Sequence, residues 1–225
     1  VIQWTPKRVA SGAMVEDKLL RHTLADRIFH WAMAGAVLVL LGTAFFPILG
    51  LDFPWVTAHW ISGLILTAAV LFHIVRALFF QDLKTMWISL EDLRNLIELT
   101  RWNLRLSPAI PGKSGKYSLA QKLIHHVMTL IVLLVVVTGL FMLVKIDTPW
   151  WERNPYLLEE SSWGFIYVVH DLTAMCLITL VMVHIYFSVR PEKLFFLRSM
   201  LLGWITRKEY LEHHDPRRWK VSDKV

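Results

Sequence analysis

Residues 161–189 read SSWGFIYVVHDLTAMCLITLVMVHIYFSV, an apolar run that contains one acid, Asp171, and no lysine or arginine. Three further stretches contain no lysine, arginine, aspartate or glutamate at all: residues 28–51, 53–75 and 123–144. About 20 helical residues are enough to cross a hydrocarbon core of about 30 Å. A backbone surrounded by lipid has to satisfy its own hydrogen bonds, which a helix does. The sequence therefore predicts an all-α fold, an integral membrane four-helix bundle.

The four spans are predicted within one domain that covers residues 1–225, at about residues 28–51, 55–79, 123–144 and 163–189. Hydrophobic residues make up 55% of the chain, against roughly 45–50% apolar residues in soluble domains. Of the 24 lysines and arginines, 22 lie before the first span, between the second and third, or after the fourth. Because basic loops stay in the cytoplasm, both termini are predicted there. These basic residues flank the membrane without a nucleic-acid motif, so no nucleic-acid partner is expected.

Two cytoplasmic segments have helical apolar spacing with charged residues between the apolar positions, at residues 83–99 and 194–212. This pattern is typical of amphipathic helices that lie along a membrane surface. We therefore expect the bundle to carry amphipathic cytoplasmic helices after its second and fourth spans.

Histidines are unusually frequent in the predicted spans, although an ionisable side chain inside a membrane is costly. His59 and His73 are 14 residues apart, as are His170 and His184, so the members of each pair share a helix face about 21 Å apart. The second and fourth spans both start outside, which places His59 with His170 at an outer level and His73 with His184 at an inner level. Imidazole is an axial ligand of haem iron. The spacing therefore predicts two haems stacked across the bilayer.

The inner level offers three histidines for two axial positions, because His30 lies at the cytoplasmic start of the first span. A weak internal repeat relates residues 26–30, DRIFH, to residues 121–125, QKLIH, and relates the second span to the fourth. Repeat symmetry favours His73 as the partner of His184. The single cysteine, Cys176, excludes disulfides, cysteine-ligated iron–sulfur clusters and covalent c-type haem.

Several motifs resemble those of the cytochrome b (gamma) subunit of respiratory formate dehydrogenases, which is related to hydrogenase cytochromes b and bacterial cytochromes b561. The resemblance covers nearly the whole chain after about residue 20. In the first half of the chain it is carried by Asp26-Arg27-x-x-His30-Trp31 and by His59-x-x-x-Gly63 with Arg76 further on. In the second half it is carried by Lys116-Tyr117-x-x-x-Gln121-Lys122, the pair His170 and His184, and the tail Met200-x-x-Gly203 followed by His213-His214-x-Pro216-Arg217-x-Trp219. It implies a multi-pass protein of the bacterial inner membrane.

The resemblance implies an outer haem b ligated by His59 and His170 and an inner haem b ligated by His30 and His184. It leaves His73 out of the ligand set. Arg27 and Arg76, at cytoplasmic span ends, are then expected either to pair with haem propionates or to serve as membrane anchors.

The resemblance also implies a quinone pocket beside the inner haem, for menaquinone or ubiquinone, lined by Ser118, Gln121 and Lys122. Formate dehydrogenase subunits usually read Tyr-Asn-x-Gly-Gln-Lys here, whereas residues 117–122 read YSLAQK. The loss of the amide and the glycine leaves the quinone contacts and the quinone type open.

The function implied is that of a diheme electron-transfer subunit with no catalytic nucleophile. An external iron–sulfur subunit, itself fed by a catalytic subunit, would deliver electrons to a quinone near the cytoplasmic face. The alternatives are a quinol-oxidising cytochrome b561 working in reverse, a non-redox membrane anchor, and a transporter with intramembrane histidines. The 14-residue spacing argues against an anchor, which does not require it, and the lack of broken helices or paired acids argues against a transporter.

Three further residues have two interpretations each. Asp171 either hydrogen-bonds a ligand imidazole from outside the coordination sphere or faces water at the outer interface. His213 and His214 either serve docking or proton delivery near the cytoplasmic surface, or lie in a solvated tail.

Overall fold

The computed structural model describes residues 17–108 and 112–221 of the chain. Four helices are long and apolar enough to cross a membrane, which confirms the predicted all-α membrane bundle. They are α1 (Leu24–Phe45), α2 (Trp55–Phe80), α4 (Leu119–Leu143) and α5 (Glu160–Val189). Shorter elements complete the described chain: β1 (Lys18–Leu20), α3 (Leu90–Asn103), α6 (Leu194–Leu202), β2 (Trp204–Thr206) and α7 (Arg207–His213).

Local sequence sets the ends of the spans. Thr23 and Asp26 form a reciprocal capping box at the start of α1, which satisfies backbone N–H groups that a helix start otherwise leaves free. α1 ends at Phe45, six residues before the predicted boundary at residue 51. The chain turns there because Pro47 and Gly50 close a tight turn, with a backbone hydrogen bond of 3.0 Å and a φ of 85° at Gly50.

The bundle consists of two antiparallel hairpins, α1 with α2 and α4 with α5, which meet mainly along α2 and α4. A buried apolar core lies midway along the spans and comprises Ala36, Val37, Leu40, Leu41, Leu66, Val132 and Leu177. Between this core and the end of the bundle where both terminal segments lie, the described spans contain one buried side chain, that of Lys122.

A cap covers the inner end of the bundle. β1 pairs with β2 in antiparallel register, and Leu19, Phe195, Ile205 and Tyr210 form its apolar cluster. Because β1 precedes α1 and β2 follows α5, both terminal segments lie at the same end of the bundle. This agrees with the orientation that the basic residues predict.

The structure corrects the two predicted amphipathic helices. Residues 194–212 are not one helix, because Gly203 ends α6 with a φ of 91° and lies where a Cβ would come within 3.0 Å of the His22 carbonyl oxygen. The chain then forms β2 and α7. Residues 83–99 divide into a 3₁₀ turn, Leu83–Met86, and the start of α3, which Ser89 and Asp92 cap.

Candidate functional site

The outer pair of histidines lies as the spacing predicts. His59 on α2 and His170 on α5 face each other with ring centroids 6.4 Å apart and planes at 66°. Because an imidazole nitrogen binds a metal ion at about 2 Å and lies about 1 Å from its ring centroid, two axial imidazoles of one iron have centroids about 6 Å apart. Edge-to-face contacts between aromatic rings have similar centroid distances. The distance alone therefore does not distinguish a pair of metal ligands from packed rings, whereas the hydrogen bonds of the imidazoles do.

Two threonines fix the orientation of the outer imidazoles. The Nδ1 atoms of His59 and His170 each lie 2.8 Å from a threonine Oγ1, of Thr43 and Thr138 respectively. Each threonine hydroxyl donates its only hydrogen to a carbonyl one turn back, of Val39 or Leu134. With the hydroxyl hydrogen on that carbonyl, the threonine oxygen accepts from the imidazole Nδ1–H, and the Nε2 lone pair is free. This is the tautomer that a metal-ligating histidine needs.

The surroundings of His170 complete the outer site. A Cβ added at Gly139 would lie 3.3 Å from His170 Cε1, so the glycine gives the ring room in this orientation. Asp171 is exposed, and the side-chain hydrogen bond of His170 goes to Thr138. The structure therefore does not support the interpretation in which Asp171 hydrogen-bonds the His170 imidazole.

Sequence reasoning missed both threonines. The signal was present in the repeat, because Thr43 follows His30 by 13 residues and Thr138 follows His125 by the same number. A threonine at equivalent positions of both hairpins, level with the histidine of the following helix, was the pattern to find.

Replacing Thr138 by valine should loosen the outer site, because Val keeps the shape but cannot accept the Nδ1–H bond of His170. Loss of such an outer-shell partner typically weakens metal affinity about 10–100-fold. We expect faster haem loss from the purified protein, measured by transfer to an apo-globin acceptor. Thr129→Val, at an exposed position of the same helix, is the matched control, and equal haem loss in both variants would contradict this role.

The inner level contains two facing pairs. His30 on α1 faces His184 on α5, with ring centroids 6.2 Å apart and planes at 58°. His73 stacks instead on Phe29, at 4.6 Å and 8°, and faces His125 on α4 at 6.2 Å and 73°. The structure therefore brings His30, and not His73, to His184.

The two predicted propionate partners differ in their surroundings. Arg76 forms an ion pair of 2.9 Å with Asp26 and is thereby neutralised. Arg27 donates to the Leu201 carbonyl at 2.6 Å, and its Nε is buried without a hydrogen-bond partner. Among the described residues, no carboxylate lies close enough to Arg27 to form an ion pair. Of the two arginines, Arg27 is the one whose charge is available to an anionic group.

The three predicted quinone-pocket side chains all have protein partners. Ser118 and Gln121 cap the start of α4 reciprocally, with bonds of 2.9 and 3.3 Å. The Lys122 ammonium donates to Asp92 at 2.6 Å and to the Trp87 carbonyl at 2.9 Å. An ammonium has three hydrogens, so one remains for another acceptor.

The tail motif has a structural role in the cap, and the solvated-tail interpretation is wrong for His214, which is 1% exposed. Its Nε2 accepts from the Arg21 guanidinium at 2.9 Å, and its Nδ1–H donates to the Gly115 carbonyl at 2.7 Å. Burial, followed by the Arg21 charge, lowers the pKa of His214 to about 4. The neutral imidazole of His214 thus links the tail by hydrogen bonds to the segment before α1 and to the segment before α4.

The cap should loosen in mild acid. A histidine whose pKa is lower in the folded state takes up its proton more readily once unfolded. The contribution of His214 to stability is therefore complete above its ordinary pKa of 6.5 and declines as the pH falls toward about 4. We expect limited proteolysis of the tail to accelerate between pH 7 and pH 5, and His214→Asn to flatten this dependence. Burial and the Arg21 charge also lower the pKa of His22, to about 3. His22 would account for the pH dependence that remains in His214→Asn.

A four-span bundle with facing imidazoles at two depths, the outer pair hydrogen-bonded to threonines, has the features expected of a membrane cytochrome b. The comparison with known sequences agrees: the chain belongs to the prokaryotic cytochrome b561 family, whose profile matches residues 21–203. It is 24% identical over 215 residues to the formate dehydrogenase cytochrome b556(fdo) subunits of Escherichia coli K12 and O157:H7, which covers 90% of this chain and 92% of those proteins. It is thus a haem b protein of electron transfer, multi-pass in the bacterial inner membrane.

Proposed function

We propose that this chain is the diheme membrane subunit of a respiratory oxidoreductase complex, passing electrons from an outer iron–sulfur subunit to a quinone near the inner end. The observation that carries the proposal is a facing imidazole pair at each of two depths, His59–His170 and His30–His184. The two levels are about 21 Å apart along α5. The similarity to a formate dehydrogenase subunit supports a complex that also contains a catalytic subunit.

Haem b supplies a one-electron couple when bound, and the chain supplies its position. Two imidazoles at each level fill both axial positions, which suits electron transfer and leaves no iron position for oxygen chemistry. Thr43 and Thr138 hold the outer imidazoles in the ligating tautomer. The apolar core between the levels excludes water, so electrons can cross while protons are held back.

The inner end has the groups expected beside a carboxylate-bearing cofactor and a quinone. Arg27 is available there for a propionate, which would satisfy its buried Nε. Lys122 retains one ammonium hydrogen near the start of α4, within the segment proposed for quinone binding. Reduction of the quinone consumes two electrons and two cytoplasmic protons, and the same residues would serve quinol oxidation in the reverse direction.

The test is haem b per polypeptide in the purified full-length subunit, by pyridine haemochrome absorbance. We expect two, with one lost in His170→Ala and one lost in His30→Ala. A folded preparation without haem would overturn the proposal and leave a non-redox membrane anchor. Haem that is unaffected by both substitutions would overturn the ligand assignment.

A further inference from the structure

The tail that follows α7 contacts the segment that leads into α4. The Asp215 N–H donates to the Ser114 carbonyl oxygen at 2.8 Å, and Ser114 forms a β-bridge with His214. A Cβ added at Gly115 would lie 3.4 Å from the Arg218 Cβ, so the two segments touch there as well. The tail is therefore held against the chain just before the residues proposed to line the quinone pocket.

Arg218 extends from this tail to the buried carboxylate of α3. Its Nη2 donates to Asp92 Oδ1 at 2.6 Å, while the Lys122 ammonium donates to Asp92 Oδ2, also at 2.6 Å. The backbone N–H of Ser89 donates to the same Oδ2 at 3.0 Å. Because Asp92 is 2% exposed, its two oxygens are divided between a cation from the tail and a cation from α4.

Two carboxylates compete for the Arg218 charge, and Asp92 is the stronger partner. Glu91 lies 3.5 Å from Arg218 Nε, but its side chain is 59% exposed, and water screens such pairs. Asp92 is both closer and buried. Among the described residues, Arg218 lies over no aromatic ring, unlike Arg21, which lies 4.6 Å from the Phe196 ring. The main interaction of the Arg218 guanidinium is therefore the one with Asp92.

Asp92 in turn orients the Lys122 ammonium. A lysine side chain has a flexible four-carbon stem, and two of its three ammonium hydrogens are directed to Asp92 at 2.6 Å and to the Trp87 carbonyl oxygen at 2.9 Å. The third hydrogen then has a fixed direction. If the Asp92 carboxylate rotated, the ammonium would turn with it. Arg218 opposes this rotation because it holds Oδ1 while Lys122 binds Oδ2.

The cluster also carries excess positive charge. Lys122 and Arg218 supply two cations, and Asp92 is the buried carboxylate between them, which leaves one net positive charge. Fixed cations stabilise negative charge that develops on a reacting group, most strongly where water is excluded. A quinone oxygen bears such charge when electrons arrive before protons, as does a quinol oxygen that loses its proton first. The arrangement therefore suits a quinone oxygen at the third ammonium hydrogen.

We propose that Arg218 is a positioning residue of the quinone site, which acts on Lys122 through Asp92. This rests on the proposed function, which places Lys122 beside the quinone. Arg218 fixes the carboxylate, the carboxylate fixes the ammonium, and the ammonium directs its remaining hydrogen to the quinone. The C-terminal tail thus controls the rate of quinone chemistry without touching the quinone or a haem ligand.

The experiment follows reduction of the haems by duroquinol, a quinol without an isoprenoid tail, in the purified full-length protein, through the α-band absorbance. We expect Arg218→Gln to keep its haem and to lower the maximal rate at least about tenfold, since small misplacements of a positioned group can cost up to about 100-fold. The half-saturating duroquinol concentration should change less, because the charge acts on the reacting state. Arg217→Gln, at the exposed neighbouring position, is the matched control and should match the wild type.

A double-variant comparison separates positioning from a general role in folding. Residues that act through one another have losses that do not multiply. We therefore expect Lys122→Met combined with Arg218→Gln to be no slower than Lys122→Met alone. Should Arg218→Gln lose haem, Arg218→Lys takes its place in the same comparison, because lysine keeps the charge without the planar fork of the guanidinium.

Three results would overturn the proposal, and they differ in what else they affect. An Arg218 variant as fast as Arg217→Gln, or losses that multiply in the double variant, would overturn it and leave the proposed function intact. A Lys122→Met variant as fast as the wild type would also remove Lys122 from the quinone site. Wild-type haems that duroquinol does not reduce would overturn both this proposal and the quinone step of the proposed function.

Discussion

Replacing His59 by alanine is expected to remove one haem per chain and to reduce donor-linked quinone reduction to background. In the proposed function His59 is one of two haem ligands at the outer level. Its ring is aligned by Thr43 at 2.8 Å, and no other described histidine lies beside it except its partner, His170. Its loss would interrupt the proposed path at the end that faces the electron donor. Haemochrome absorbance gives the stoichiometry, and quinol formation with the intact complex gives the rate.

The matched control for this experiment is Asp171→Asn. Asp171 follows His170 in sequence but is exposed. The haem content of this variant should therefore equal that of the wild type. If His59→Ala kept its full haem content with an unchanged spectrum, the outer pair would not be a haem site. The inner haem should survive in His59→Ala, because the ligands proposed for it, His30 and His184, lie on α1 and α5.

The second large effect is expected for Asp92→Ala, which should destabilise the protein by about 3–5 kcal/mol, as removal of one partner from a buried ion pair does. Asp92 is 2% exposed and bonds to Lys122 and Arg218, each at 2.6 Å. Although burial raises the pKa of Asp92, hydrogen bonds from Lys122, Ser89 and Arg218 bring it below its usual range. Without the carboxylate, Lys122 loses its anionic partner, and Arg218 keeps only the exposed carboxylate of Glu91 at 3.5 Å.

Thermal unfolding in detergent, followed by near-ultraviolet circular dichroism, measures this loss. Arg153→Ala is the comparison, since its ion pair with Asp147 is more than half exposed on both sides, and such surface pairs contribute about 0–1 kcal/mol. Asp92→Leu combined with Lys122→Met should recover much of the loss, because no unpaired charge then remains on α3 and α4. A deficit in the double variant as large as in Asp92→Ala would contradict this explanation.

The spans and the outer pair could be predicted because both depend on local periodicity. An apolar run of more than 20 residues has one structure in lipid, and a separation of 14 residues is close to four helical turns. His59 and His170 therefore had to share a level once the helices were assigned. The sequence also predicted that both terminal segments lie at one end, since the basic residues select a side of the membrane.

The partners at the inner level could not be obtained in this way, because they depend on how the hairpins rotate against each other. Repeat symmetry favoured His73 for His184, whereas the structure places His30 there and gives His73 to His125. The cap escaped prediction for a similar reason. β1 and β2 are three residues each and pair across almost the whole chain, so no local pattern announces them. Gly203 marked the break in 194–212, but its φ is visible only in three dimensions.

The outer site is formed by one histidine from each hairpin, which has a consequence for how such a protein could arise. His59 and His170 occupy equivalent places in the two halves, and each is held by a threonine from the helix that precedes it. A homodimer of a single hairpin would create the same site, because a two-fold interface brings a residue against its own copy. In such a dimer, one ancestral histidine would have faced its own copy across the interface. That would have sufficed to bind the first haem before duplication and fusion joined the two halves into one chain.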